Sequence, residues 1–386
     1  PAEAAKDIDR ARDDLFFGLF ADGRVAAALV DRRFDVWVNG APVRANGVGM
    51  VASAPETRRL GLVRELMRAH LEQLRQAGVV LSLLYPFSFR FYARMGWAQV
   101  VRGVEVKVPP KDFAAYGELR AGSNVRRVLY ADKDVQQAAE GETVDGIAAK
   151  LDRVYREATE GLNLCADRTT ADWKAIFRVR QGRRYVAVWE GPSQSVEGYV
   201  VYLIRQEDFP ADIQVREIFA LKPEAWRGLC GFLANHDSHI RHVVAVLPAD
   251  HPLLELVENP RIEQSRLPPG VMARAVDVAG LLRSRGAAGA VPGECVVAVS
   301  DSLAPWNEGC YNLRFDGHDV AVNRADVALE EADVCADVNG FTQLAVGYRG
   351  VDEMLLFGLI SGNQGPGLEF ARHFFAVRPV RHLEYY

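Results

Sequence analysis

Cysteine is scarce and scattered in this 386-residue chain: Cys165, Cys230, Cys295, Cys310 and Cys335 are odd in number, far apart and never in a CxxC pair. That excludes a disulfide framework and a thiolate zinc site as the basis of the fold. Long hydrophobic runs are missing too. No apolar stretch reaches the roughly 20 residues that span a bilayer, and no basic start with an apolar centre marks a signal peptide. A cytoplasmic protein without a membrane partner is expected. Nor is one sign of charge in excess: 46 Lys and Arg stand against 51 Asp and Glu, a net charge of -5. A nucleic-acid partner is therefore not expected, and cationic small molecules or basic peptides are mildly favoured.

What is present, 49% hydrophobic and 25% charged residues, is the composition of an ordinary globular protein. The length is too great for one core, so two or three domains are expected. Pro1 is not an initiator, and a helix-like AEAAKDIDRARDD runs almost at once into a strand, so further sequence is expected ahead of it.

The chain is organised around Gly47 to Trp97, GVGMVASAPETRRLGLVRELMRAHLEQLRQAGVVLSLLYPFSFRFYARMGW. Gly47 to Ala54 is a short apolar run stopped by Pro55. From Arg58 to Ala77 the period changes: Leu60, Val63, Met67, His70, Leu71 and Leu74 recur at the three-and-four spacing of one helical face, and Gly78 ends the run. Val79 to Leu84 reads as a buried strand of the parallel type, Pro86 breaks it, and Phe89 to Met95 forms a short helix carrying Tyr92. A strand feeding directly into a helix whose first turn is ETRRLGLV makes an anion site. Free N–H groups of that turn, the positive end of the helix dipole and the charges of Arg58 and Arg59 converge there. Arginines in a first helical turn oppose the dipole, so an anion accounts for them better than a solvated charge pair does.

Ahead of this segment, Leu15 to Phe20, a turn at Asp22-Gly23, Val25 to Val38 and a turn at Asn39-Gly40 predict an antiparallel meander. Behind it, Trp97 to Val108 predicts one further strand, and a first domain over 1–111 is expected. The second, 112–275, is expected to be largely helical over Asp132 to Thr159 and helical again over Thr169 to Arg180. Strands follow at Tyr185 to Trp189 and Gly198 to Ile204. The strand, helix, strand order then returns in Val215 to Leu221, Glu224 to Asn235 and Val243 to Leu247. This echo is degraded, with KPEAWRGLCGFLAN where the first copy has PETRRLGLVRELM. It keeps one arginine, Arg227, its glycines are displaced, and no cofactor site of its own is expected. ELVENPRIEQSRLPPG closes the second domain, and ARAVDVAGLLRSRG, a strand and short helix, acts as a bridge. In the third, 276–386, strands at Cys295 to Ser300, Tyr311 to Phe315 and His318 to Asn323 precede helices at Gly340 to Tyr348, Val351 to Ile360 and Pro366 to Phe375. The fold class expected is α/β with mixed sheets, the last domain α+β.

Several features read more simply as structure. His236, His239 and His242 are spaced by three and three, which does not keep all of them on one helical face, and only Asp237 is near, so no metal site is expected. The basic run from Arg178 to Arg184 is a hairpin tip or helix end. Asp13 and Asp14 read equally as the lining of a cation pocket at the sheet's edge and as helix surface. Tyr92 alone would be a packed core aromatic.

The string VASAPETRRLGLVRELM resembles motif A of the GCN5-related N-acetyltransferases (GNATs), in which R/Q-x-x-G-x-G/A wraps the pyrophosphate of acetyl-CoA. Here the signature is Arg58-Arg59-Leu60-Gly61-Leu62-Val63, with Val63 in place of the last small residue. With LYPFSFRFYARMGW, a duplicated middle domain and a terminal domain ending in an aromatic residue, the whole chain is similar to the Eis (enhanced intracellular survival) acetyltransferases. That resemblance implies tandem GNAT folds followed by a sterol-carrier-protein-like domain, and a homohexamer. It implies that acetyl-CoA is held by Val51, Ala52 and Ser53 of the strand, by Arg58, Arg59, Leu60, Gly61, Leu62, Val63 and Arg64 of the turn, and by Phe87 and Ser88. It makes Tyr92 the general acid that protonates the departing thiolate. It gives the role of general base to the α-carboxylate of Tyr386, where the family commonly ends in phenylalanine.

The chemistry of those two groups is suitable. A phenol with an ordinary pKa of about 10 is protonated at pH 7, and a carboxylate can bind an ammonium, select its neutral form through a water and accept the proton as that amine attacks the thioester. The function expected is acetyl transfer from acetyl-CoA to primary amines of aminoglycoside-like polycations or to lysine side chains. Direct attack is expected because no cysteine lies near the motif. A non-catalytic lipid or apolar-ligand binding protein using the sterol-carrier-like domain, and a donor with another acyl group, are the alternatives.

Overall fold

The computed structural model describes residues 14–116, 124–132, 135–178, 183–204, 210–248, 251, 265–287 and 289–384. Asp13 and the helix-like start, residues 179–182 of the basic run, all of ELVENPRIEQ and Tyr386 lie outside the described residues. The chain folds into two compact units, one of Pro1–Val101, Gly161–Asp167 and Pro269–Tyr386, the other of Arg102–Glu160 and Arg168–Pro268.

In the first unit, β1 (Leu15–Ala21), β2 (Arg24–Val38) and β3 (Ala41–Ser53) form the meander. Asp22, Gly23, Asn39 and Gly40 all take positive φ in its two turns, the conformation that suits the twist of a hairpin. Helix α1 (Leu62–Gln76) then carries the chain to β4 (Leu81–Leu84), parallel to β3, and its buried face is Leu66, Met67, His70, Leu71 and Leu74. A short helix α2 (Phe89–Ala93) and β5 (Ala98–Val101) follow.

The second unit comprises β6 (Val104–Val108), β7 (Val125–Asp132), β8 (Val135–Ala138), helices α3 (Val144–Ala158) and α4 (Thr170–Phe177), β9 (Arg183–Glu190), β10 (Val196–Ile204), β11 (Ala211–Ala220), helix α5 (Pro223–Ala234), β12 (Ile240–Leu247) and β13 (Ser265–Arg266). They make one sheet in the order β13-β6-β12-β11-β10-β9-β7-β8. β11 and β12 are parallel around α5, so the echo of β3, α1 and β4 is structural. Asp132 to Thr159 is not one helix. Asp132 ends β7, the mostly exposed VQQA of β8 pairs at the sheet's edge, and α3 starts only where Thr143 accepts the N–H of Gly146. An exposed edge strand has no apolar periodicity to betray it.

Two further corrections concern strand placement. Trp97 to Val108 is two strands in different sheets, broken at Arg102-Gly103, with β5 in the first and β6 in the second. The strand expected to act as a bridge, β14 (Val271–Ala275), lies inside the first sheet between β4 and β5, giving β1-β2-β3-β4-β14-β5. All five of its residues are buried, as a central strand requires.

Helix α6 (Val278–Ser284) leads to β15 (Gly293–Ser300), β16 (Gly309–Phe315), β17 (Val320–Ala325) and β18 (Val334–Asp337), then to α7 (Val338–Ala345), α8 (Val351–Leu356) and α9 (Pro366–Phe374). β18 was not expected from the sequence; it pairs parallel to β15 in the order β17-β16-β15-β18. One apolar core joins the first sheet (Val36, Leu81, Ala273) to this one (Val297) and to the helices that follow it (Phe341, Phe374). The excursion Gly161–Asp167 adds to it by pairing with the end of β2, where Leu164 N–H donates to Trp37 O (2.8 Å) and Trp37 N–H to Cys165 O (2.9 Å).

Candidate active site

β3 is kinked where its register against β2 shifts between Ala28 and Val30, and Met50 takes a φ of 51°. On its other edge it pairs with β4 only from Ala45 to Val48. Ala52 and Ser53 remain paired to Ala28 and Ala27 of β2, while the edge of Val51, Ala52 and Ser53 turned toward β4 has no strand partner. An unpaired edge of this kind can hydrogen-bond an amide-bearing chain.

The helix after it begins later than the sequence suggests. Pro55–Thr57 makes a single 3-10 turn, Arg58 and Arg59 lie in the loop beyond it, and α1 starts at Leu62 with Gly61 as its N-cap. Arg59 and Gly61 have φ of 66° and 81°, and alternation of left-handed with ordinary residues turns successive N–H groups to one side. Gly61 supplies no side-chain cap, so the N–H groups of Leu62, Val63 and Arg64 have no capping acceptor and add to the positive end of the dipole. Standing ahead of the helix, Arg58 and Arg59 do not oppose the dipole but flank the position where an anion would lie. The exposed apolar side chains of Met50, Leu60 and Phe87 (67–70%) surround the same end of the sheet.

Ser88 caps α2, its Oγ accepting the N–H of Phe91 at 3.4 Å, so its side chain is already engaged. Tyr92 faces inward, 2% exposed. Its ring meets Phe87, Phe91 and Trp97 edge-on at 5.2, 5.1 and 6.5 Å. Burial pushes its phenol up to about 12, which keeps it a proton donor.

Sequence reasoning missed what holds this helix. Arg274 of β14 donates to Met95 O (2.6 Å) and pairs with Asp301 at 2.6 Å, both side chains buried. Asn339 donates to Ala93 O (3.1 Å) and Trp97 O (3.2 Å), so residues far along the chain satisfy the helix's last carbonyl and those of the turn after it. The available signal was a lone arginine in the apolar VMARA.

The described tail also approaches this region. Arg378 N–H donates to Gly347 O (2.9 Å), Asn163 N–H to Pro379 O (2.8 Å) and Arg381 N–H to Asn163 O (2.9 Å). His382 is buried, its Nδ1 2.9 Å from Leu164 O and its ring against Phe34 and Tyr85 at 5.7 and 6.5 Å. Tyr85 is two residues before Phe87.

Elsewhere, no group of three or more His, Cys, Asp and Glu among the described residues is placed to hold a metal ion. His236, His239 and His242 instead contact Phe232 O, Ser238 and Asp212. Asp14 lies 4.0 Å from Arg32. No described helix is long and apolar enough to cross a membrane.

Residues 3–100 match a GNAT acetyltransferase domain, 164–275 a second GNAT acetyltransferase domain, and 278–381 a sterol carrier protein domain. The chain is 26% identical over 318 residues to an uncharacterized N-acetyltransferase of Streptomyces coelicolor, covering 79% of this chain and 74% of that one. It is 27% identical over 335 residues to one of Streptomyces avermitilis, covering 81% and 76%. In fold it is similar to a probable N-acyltransferase of Enterococcus faecalis (TM-score 0.82, 23% identity, 100% and 93% of the two chains). It is likewise similar to Eis1 of Mycobacterium abscessus (TM-score 0.72, 20% identity, 96% and 90%). The chain is an acetyltransferase of tandem GNAT domains followed by a sterol carrier protein domain.

Proposed function

We propose that this chain is an Eis-like enzyme that acetylates primary amines of aminoglycoside-like polycations or lysine side chains, using acetyl-CoA in its first GNAT domain. One observation carries the reading: the unpaired edge of β3 runs directly into the glycine-capped start of α1. Val51, Ala52 and Ser53 would bind the pantetheine amides. Arg58, Arg59 and the N–H groups from Leu60 to Arg64 would bind the phosphates, with Phe87 and Ser88 beside them. No Cβ or side chain fills the space at Gly61, which fits a phosphate approaching the backbone.

Acetyl-CoA supplies an activated acyl carbon. The chain's residues manage two protons: the α-carboxylate of Tyr386 accepts the one released as the amine nitrogen bonds to that carbon, and Tyr92 donates its own to the sulfur as the carbon–sulfur bond breaks. Tyr386 is only four positions after His382, a reach of at most about 14 Å from the pocket of Phe34 and Tyr85. That supports a terminal base. The core of the terminal domain is filled by its own Phe341, Phe374 and Phe375, which does not favour a lipid carrier. A homohexamer and a cytoplasmic location belong to the same proposal.

Thiol release from acetyl-CoA with a broad amine panel tests the activity; no turnover on any polyamine or lysine peptide sinks it. Residues appended beyond Tyr386 test the base, since activity that survives the extension unchanged rules the terminal carboxylate out.

A further inference from the structure

One buried polar cluster of the first unit takes no part in the donor site or in holding α2. It is the strap Gly161–Asp167, which interrupts the second unit's chain and binds the tail. Its centre is Asn163, 1% exposed. The Asn163 Oδ1 accepts the N–H of Asn39 (2.8 Å), and its Nδ2 donates to Asn39 Oδ1 (3.1 Å) and to Val346 O (2.9 Å). Its backbone meanwhile bonds Pro379 and Arg381. One residue thus ties together the β2–β3 turn, the end of α7 and the tail. Next to it, Leu164 is held at a φ of 66°, and its carbonyl meets His382 Nδ1 at 2.9 Å. A left-handed leucine is strained and persists only where its surroundings over-determine it. No other side chain of similar size offers one acceptor and two donors in this plane; aspartate keeps the acceptor and loses both donors.

We propose that Asn163 is a positioning residue for acetyl transfer: the strap fixes the tail at residues 379, 381 and 382, and so fixes where the terminal carboxylate can reach. This rests on the reading of Tyr386 as base. The strap makes none of the bonds of the β3 edge or the Gly61 turn, so the donor site is independent of it.

The test compares the full chain with Asn163→Asp and Asn163→Ala. Amide exchange of Arg381 is expected to accelerate at least about tenfold while that of Leu83 in the first sheet holds, which also shows that the variants fold. A misplaced reacting group costs up to about a hundredfold, so kcat is expected to fall about 10- to 100-fold with KM for acetyl-CoA within about twofold. Unchanged exchange at Arg381, or faster exchange with full kcat, overturns the proposal. The chain extended beyond Tyr386 is the separate arm: a wrong base shows itself there, and a wrong strap in the exchange of Arg381.

Discussion

Gly96 and Arg274 share one space: a Cβ on Gly96, whose φ is +92°, would come within 1.5 Å of an Arg274 guanidinium nitrogen. That guanidinium holds Met95 O and Asp301 and stacks over Trp97 at 5.4 Å, so the glycine, the buried ion pair and the Tyr92 helix are one assembly. Gly96→Ala is therefore expected to cost about 3 kcal/mol or more, combining left-handed strain with a disturbed buried pair. Denaturant midpoints check it, and a loss below about 1 kcal/mol would show that Arg274 can yield.

Tyr92→Phe removes one buried hydroxyl and keeps the packing against Phe87, Phe91 and Trp97. On the proposed general-acid role it is expected to lower kcat about 100-fold or more, with KM for acetyl-CoA little changed. The pH dependence has a definite sign. Burial raises the phenol to about 12, so the donating form persists well above the ordinary phenol range. The wild-type rate is expected to keep rising as the amine loses its proton and to show no falling limb from Tyr92 below about pH 11. A falling limb near pH 10 that disappears in Tyr92→Phe would contradict the burial of this acid.

The framework of the proposed donor site was legible because its signals are local. Two turn dipeptides, one helical apolar stripe and a glycine between a strand and a helix lie within adjacent residues, and β1 to β4 and α1 follow from them. Even there the helix start was misjudged by four residues, from Arg58 to Leu62, since positive φ at Arg59 leaves no mark in the letters. What holds Tyr92 and the tail was not legible. Arg274, Asn339 and Asn163 act across 179, 246 and 183 residues of sequence, and each looks ordinary until its partner is brought to it. β14 failed for the same reason: a buried five-residue run does not say which sheet it completes.

The second GNAT domain is expected to bind no acetyl-CoA, giving one donor per chain. Its helix α5 starts from an extended Lys222 with Pro223 next, so no left-handed glycine stands there and one N–H is missing. The Lys222 ammonium is 2.6 Å from the buried Glu197 carboxylate, so the one cation at this helix start is already neutralised in an ion pair. Calorimetric titration with acetyl-CoA counts the sites. Two equivalent sites would show that the motif's loss did not remove binding.

Asp31 beneath α1 gives the clearest test of stability against pH. Its carboxylate is fully buried, 3.4 Å from His70 Nε2, and accepts from Asn46 Nδ2 at 2.9 Å and Arg33 Nε at 3.2 Å. Burial alone would raise its pKa, but His70, Asn46 and Arg33 outweigh it and the net direction is down from the ordinary carboxylate value. A carboxylate depressed in the folded state adds stability above its unfolded pKa of about 3.9, and that contribution is lost as pH falls through the folded value. Asp31→Asn is thus expected to cost about 3 kcal/mol at pH 7, with the gap to wild type closing below about pH 4. His70 belongs to the helix whose first turn is the proposed phosphate site, so on that reading KM for acetyl-CoA should rise in the same variant. Urea titrations at pH 7, 5 and 3 decide it: a gap that stays constant across all three means the charge of Asp31 contributes nothing to the fold.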